Sequence, residues 1–209
     1  MNKNYTEFEK PLINWLVSSG VFINKDQKNV NSGGVHAGYN LSINNWQFIY
    51  CEITGYSIST FCLLYKKYND KKFLDYAIEN ALFLMKHQIN NPEAVNFGSF
   101  PQGLNQKTNS VMPNCYTFDA AMCIQGLLDL YSIEKDDRFL SSAVIAGNWL
   151  LKMQDKSGAF LAYYNPEREL SEDKGPFFYQ DAGCLHGKNA IALIKLFKVT
   201  NNEKFKKSA

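Results

Sequence analysis

The feature that most constrains this chain is an internal repeat, in which apolar helical stripes recur at an interval of 66 residues. Ile58, Phe61, Cys62 and Tyr65 fall at i, i+3, i+4 and i+7; one interval later stand Ile124, Leu127, Leu128 and Tyr131, and one further Ala190, Leu193, Ile194 and Phe197. That spacing puts each set on one face of an α-helix. Each helix gives way to a short polar link, Asn69-Asp70, Lys135-Asp136-Asp137 or Asn201-Asn202, in which Asp70, Asp136 and Asn202 keep the interval. Asp and Asn at such a place cap a following helix by accepting its free backbone N–H groups. The following helices open with Phe73, Phe139 and Phe205. The first two run on through Ala77, Leu84 and Met85 and through Ala143, Leu150 and Leu151, ending at His87-Gln88 and Met153-Gln154.

A third shared feature comes next. Gly98-Ser99-Phe100 through Asn105 matches Gly158-Ala159-Phe160 through Asn165, and an earlier copy is Gly33-Gly34-Val35 through Asn40. That earlier copy follows a helix containing Trp15-Leu16, the counterpart of Phe83-Leu84 and Trp149-Leu150. The glycine permits a tight turn, and the residues behind it read as a short strand or open loop. The order is helix, loop, hairpin, loop, hairpin, loop, helix. Two helices per long period predict an all-α fold of stacked or ring-closed hairpins, with residues 1–209 as one domain. Ala209 is the counterpart of Ala77 and Ala143, which lie mid-helix. The expectation drawn from this is a chain truncated at its C-terminus, completed by the missing remainder of the ring or by another chain.

Charge and cysteine usage bound the function. A net charge of +2 with scattered lysines builds no basic stripe, so no nucleic-acid partner is expected. Met1 to Lys10 carries Glu7 and Glu9 and lacks the apolar core of a signal peptide. No window nears the roughly 18 apolar residues that span a bilayer. Five cysteines (Cys51, Cys62, Cys115, Cys123, Cys184) are an odd number without paired metal-ligand spacing, and Cys62 on its apolar stripe reads as a small buried hydrophobe. The economical reading is a cytoplasmic protein with no membrane partner, no metal and no cofactor.

The run Tyr50-Cys51-Glu52-Ile53-Thr54-Gly55-Tyr56 resembles the Y-x-E-x-T-G-Y segment of bacterial six-hairpin (α/α)-toroid proteins that process polysaccharides. The stretch from Trp149 to Gln154 and the Gly158-Ala159-Phe160 that follows are similar to theirs as well. The resemblance covers essentially the whole chain and implies about half of a six-hairpin toroid. It also implies a carbohydrate-active protein, since that superfamily holds glycosidases, uronyl hydrolases, polysaccharide lyases and sugar epimerases. Fold alone does not fix activity, so the site has to carry the argument.

In such toroids the inner helices surround a cleft, and the segments leading into them line its mouth. Three lead-in segments, Tyr50 to Tyr56, Asn114 to Asp119 and Phe177 to His186, supply Glu52, Asp119 and His186 as candidate catalytic groups. Tyr50, Tyr56, Tyr116, Tyr179, Asp181 and the non-repeated Trp46 are candidate substrate contacts. Carboxylates flanking a sugar are what glycosidic chemistry needs. Tyrosine packs on a pyranose while offering a hydrogen bond, and Tyr or His can move the C5 proton of a uronate. The expected substrate is an acidic, uronic-acid-containing glycan acted on by hydrolysis, elimination or epimerisation. Against this stands a plainer role: an acid near a helix start is favoured by the dipole by about 0.3–1 kcal/mol with no catalytic duty.

Two other readings remain open. Cys115-Tyr116-Thr117-Phe118 is similar to the zinc-cysteine segment of protein prenyltransferase β subunits, with His186 as a later ligand. Pro113 and Asn114 stand where that family places its acidic ligand, and zinc needs at least three protein ligands. The last reading is a helical scaffold without activity.

Overall fold

The computed structural model describes residues 5–25, 30–168, 170–172 and 186–209. Helix α1 (Glu9–Ser18) is followed by the ribbon β1 (Tyr39–Asn40) and β2 (Asn45–Trp46), and β3 (Ile49–Tyr50) runs straight into α2 (Cys51–Tyr68). Helix α3 (Lys71–His87) completes the first hairpin; β4 (Gly103–Leu104), β5 (Val111–Met112) and β6 (Cys115–Tyr116) then lead into α4 (Thr117–Glu134). After α5 (Asp137–Lys152) come β7 (Tyr163–Asn165), β8 (Leu170–Glu172), α6 (His186–Thr200) and α7 (Glu203–Lys207). The chain is built of helical hairpins, and its strands of two or three residues sit in the connecting loops.

The 66-residue interval is a physical repeat. Asn69, Lys135 and Asn201 take the left-handed conformation, with φ of 49°, 56° and 55°. Their amides return to the carbonyls of Tyr65, Tyr131 and Phe197, which closes each inner helix. One residue later the side chains of Asp70, Asp136 and Asn202 accept from the amides of Lys72, Arg138 and Lys204, capping α3, α5 and α7. Ile58, Phe61, Cys62, Ile124, Leu127, Leu128 and Leu193 lie in the core, with Tyr65, Tyr131 and Phe197 packed half-buried on its flank. Trp149 is fully buried packing.

Helix α4 is central: it packs against α2, α5 and α6 and is apolar nearly all round, as a helix enclosed by others must be. It meets α2 at two glycines. A Cβ added to Gly126 would lie 2.4 Å from the carbonyl oxygen of Gly55, and one on Gly55 would lie 2.8 Å from the backbone of Met122 and Cys123.

The loop glycines Gly33, Gly98 and Gly158 share φ near +90°. The first two press on the outer helices at Glu79 and Ile145, again one interval apart. Farther along, Asn40, Asn105 and Asn165 each accept from the amides two and three residues on, which turns the chain back. The strands ahead of α2 and α4 pair with the loops behind their hairpins: Ile49 with Leu104 and Tyr50 with Gly103, then Cys115 with Tyr164 and Tyr116 with Tyr163. These small sheets hold the N-termini of α2 and α4 side by side.

Gln88 and Gln154 tie successive hairpins together. The Gln88 amide donates to the carbonyls of Gly98 and Ser142 and accepts from the Ser142 hydroxyl. Gln154 donates to Gly158 and Ser208, the counterparts of those residues. The four described cysteines, Cys51, Cys62, Cys115 and Cys123, are unpaired and buried. Among the described residues, no helix is long and apolar enough to cross a membrane.

Candidate active site

Several residues of the Tyr50–Tyr56 segment have distinct roles, set by their places at the start of α2. Tyr50 stands at the N-cap position in an extended conformation. The Thr54 hydroxyl donates to the Tyr50 carbonyl at 2.8 Å and accepts from the Val35 amide at 3.1 Å, pinning the helix start to the glycine loop. Gly55 lets α4 come close. That approach brings Asp119, on the first turn of α4, to Tyr50, whose hydroxyl donates to Asp119 Oδ1 at 3.3 Å. Glu52 shares the same hydroxyl.

Two carboxyls therefore share one phenol, and neither behaves as a surface acid. Burial raises the pKa of Asp119 well above the usual range, the nearby Glu52 charge adds to this, and the Tyr50 hydrogen bond opposes it. Burial also raises Glu52, opposed by the same hydrogen bond. Asp119 is 2% exposed, and its Oδ2 has no hydrogen-bond partner. Glu52 is half-buried and so remains open to an incoming group. Burial therefore favours the protonated form at both groups, with Glu52 at the front and Asp119 behind it. Tyr50 is raised by its own burial and then by both carboxylates, and Tyr56, exposed on the next turn, by the same causes.

Behind the pair lie Cys51, Cys115 and Cys123, all raised by burial with Asp119 contributing to each. They are neutral thiols rather than nucleophiles. The Cys115 thiol donates to the Pro113 carbonyl and receives Asn96 Nδ2 at 3.5 Å. Among the described residues no group of three or more His, Cys, Asp or Glu side chains is placed to hold a metal ion.

The other candidates fall elsewhere. Trp46 stands on β2 beside the glycine loop, stacked on His36 with ring centres 5.4 Å apart and met edge-on by Tyr39. Tyr116, one interval after Tyr50, is buried against Tyr163 in the next sheet, with Asn114 at its hydroxyl. Tyr179 and Asp181 lie outside the described residues. His186 opens α6, and its side chain is likewise outside them. The role of His36 in holding Trp46 has no trace in the repeat, where the interval places Gln102 and Met112 opposite His36 and Trp46.

The sequence matches no family model and no curated protein. Solved structures do match the fold. An α-mannanase of glycoside hydrolase family 76 from Bacteroides thetaiotaomicron superposes with a TM-score of 0.72 at 16% identity, over 97% of this chain and 52% of its own. The fold is that of the six-hairpin (α/α) toroids. Cellobiose 2-epimerase from Bacillus thermoamylovorans superposes at 0.70 with 14% identity, over 95% of this chain and 52% of its own. A sugar epimerase from a ruminal bacterium gives 0.70 at 13% identity, over 96% and 52%. The chain spans about half the length of these toroid chains.

Proposed function

We propose that this half-toroid supplies one wall of a carbohydrate-active cleft in which Glu52 is the acid/base group that meets the sugar. The observation that carries the reading is the Glu52–Tyr50–Asp119 cluster: a half-buried carboxyl backed by a fully buried one, both raised by burial, at the start of two neighbouring inner helices. A carboxyl with a raised pKa keeps its proton to higher pH than an ordinary acid and can give it to a leaving glycosidic oxygen or exchange it at carbon. Asp119 is buried behind and acts through Tyr50 and Glu52, so it is a positioning and proton-storing residue. The toroids of matching fold include proteins described as a mannanase and as epimerases, which supports a sugar as the substrate class.

Both carboxyls sit on one hydroxyl and so on the same side of any bound sugar. Glycosidases that use two carboxyls place them across the scissile bond. A hydrolytic mechanism here therefore takes its second group from the facing wall, supplied by further hairpins of the same or another chain. A uronate substrate would add a third carboxylate and needs a cation; Lys188 on the first turn of α6 and Arg168 in the β7–β8 turn are the candidates. The test is a panel of uronic-acid glycans, neutral glycans and prenyl diphosphates offered to wild type and Glu52→Gln. Glycan turnover lost by at least 100-fold in Glu52→Gln supports the reading. Turnover confined to prenyl compounds, or glycan turnover unchanged in the variant, overturns it.

A further inference from the structure

Inner helices α2, α4 and α6 lie side by side, and the interval says what their two outermost faces lack. On α4, Met122, Cys123 and Gly126 receive Gly55 and Ile58 of α2. One interval earlier stand Tyr56, Ser57 and Thr60, on the face of α2 turned away from α4. The Ser57 hydroxyl there is buried without a partner, at the position where the Cys123 thiol donates to the Cys51 carbonyl of the neighbouring helix. At the far edge Gly187 stands two intervals after Gly55, and a Cβ added to it meets nothing within 4 Å. We propose that a second copy of this chain covers both edges: α6 of each copy packs on α2 of the other, and the two half-rings close about a two-fold axis.

Three observations choose this occupant. The first is size. Ile58 faces Gly126 across α2 and α4, and the same register sets Ile124 against Ala192 across α4 and α6, both fully buried. Carried across the edges, it sets Ala190 against the partner's Thr60. The inserted residue shrinks from Ile to Ala where the receiving one grows from Gly to Thr, so total volume is kept. The second is polarity. Ser59 donates to Asp129 at 2.7 Å across α2 and α4, and the register sets Gln125 against Lys195 across α4 and α6. At the edges it sets Ile191 against the partner's Leu63, which are 47% and 65% exposed in the single chain. Polar faces polar inside the chain, and apolar faces apolar between copies. The two edges of one chain thus fit each other, which a ring completed by different hairpins does not require.

The third lies in the outer layer. Phe83 of α3 presses on the first glycine loop, where a Cβ added to Gly33 would lie 2.9 Å from Phe83 Cβ. Gly158 shares the φ near +90° but meets nothing within 4 Å. Trp15, the counterpart of Phe83, is 56% exposed on α1, and ring closure brings it to the Gly158 loop of the other copy. Lys198 against the partner's Lys66 is an unfavourable pair, but both are exposed and screened by salt. The share of the ring agrees as well, since the chain superposes on 52% of the mannanase and epimerase toroids. The two-fold axis puts all inner-helix N-termini at one mouth, with the partner's Glu52 on the facing wall. That is the second carboxyl of the hydrolytic reading, and this consequence alone rests on the carbohydrate proposal.

Sedimentation velocity on the full chain tests the closure. Wild type is expected to run as a discrete dimer that dissociates reversibly on dilution. Leu63→Glu and Ile191→Lys, both at exposed positions, each bury an unpaired charge at the contact and are expected to weaken association at least 10-fold. The double variant sets Glu against Lys between copies and is expected to recover most of that loss. Positions 63 and 191 lie on opposite edges of one chain, so a folding defect within a chain cannot produce this rescue. A monomer at every concentration, a dimer indifferent to both single variants, a double variant no tighter than either, or open-ended higher oligomers would overturn the proposal. The failures separate: a monomeric wild type whose glycan turnover is lost in Glu52→Gln removes the ring closure and keeps the active site, and a dimer without glycan turnover does the opposite.

Discussion

The Tyr50 hydroxyl and Asp119 Oδ1 meet at 3.3 Å although 69 residues separate them in the chain. The contact joins the first turn of one inner helix to the first turn of the next, and Glu52 completes it. Because the hydrogen bond lowers the pKa of both carboxyls against the larger effect of burial, its removal has a defined sign. In Tyr50→Phe both carboxyls titrate at higher pH than in wild type, which carboxyl ¹³C shifts read directly. Loss of the buried bond costs about 1 kcal/mol. Titration at unchanged or lower pH would show that the hydroxyl does not serve the pair.

A carboxyl whose folded pKa lies above its unfolded value holds its proton more tightly in the folded chain. Between the ordinary Asp value of 3.8 and the raised folded value, the folded state carries more protons than the unfolded state. Stability therefore falls as pH rises through that window; the penalty is absent below it and complete above it. Asp119→Asn removes the titrating group. Its melting temperature is expected to vary less between about pH 5 and about pH 8, above the ordinary carboxylate range, than that of wild type. An equally steep decline in the variant would place the responsible group elsewhere.

Much of this fold is legible in the sequence because one physical unit is written three times. The apolar stripes, the caps at Asp70, Asp136 and Asn202 and the loop glycines each obey a local rule, so repetition exposes them. The sheets are less legible: strands of two or three residues are too short to show a period of two. The site divides the same way. Glu52 and Asp119 stand out as acids at helix starts, but their shared phenol depends on how closely α2 and α4 pack. The stack of His36 on Trp46 depends on a ribbon that the repeat does not preserve in side chains.

Gln88 illustrates a letter that is visible while its partner is not. It closes an outer helix, and its amide reaches Ser142 on the next one, 54 residues away. Gln88→Leu keeps the bulk but leaves the Gly98 and Ser142 carbonyls without their donor. The expected cost is about 1–3 kcal/mol in denaturant unfolding. Ser142→Ala alone removes just the hydroxyl and should cost less. Equal effects from the two would mean that the Ser142 hydroxyl, rather than the paired carbonyls, holds the hairpins together.

The closest approach of α2 and α4 gives the sharpest packing prediction. A methyl group at Gly126 would sit 2.4 Å from the Gly55 carbonyl oxygen and 3.1 Å from Ile58 Cβ. Backbone cannot step aside as a side-chain tip can, so the two helices must part. At Gly147 the nearest atom is Leu196 Cδ1, also at 2.4 Å, but it is the end of a flexible side chain that can rotate. Alanine at either position gains about 1 kcal/mol of helix propensity over glycine. Overpacking that cannot relax costs about 1–3 kcal/mol and sometimes more. Gly126→Ala is therefore expected to be the more destabilising of the two, and also to pull Tyr50 away from Asp119, since those residues ride on the parted helices. Its carboxyl titration should shift in the same direction as in Tyr50→Phe, while Gly147→Ala leaves that titration as in wild type. A Gly126→Ala protein with native stability and native carboxyl titration would show that α2 and α4 do not meet this closely.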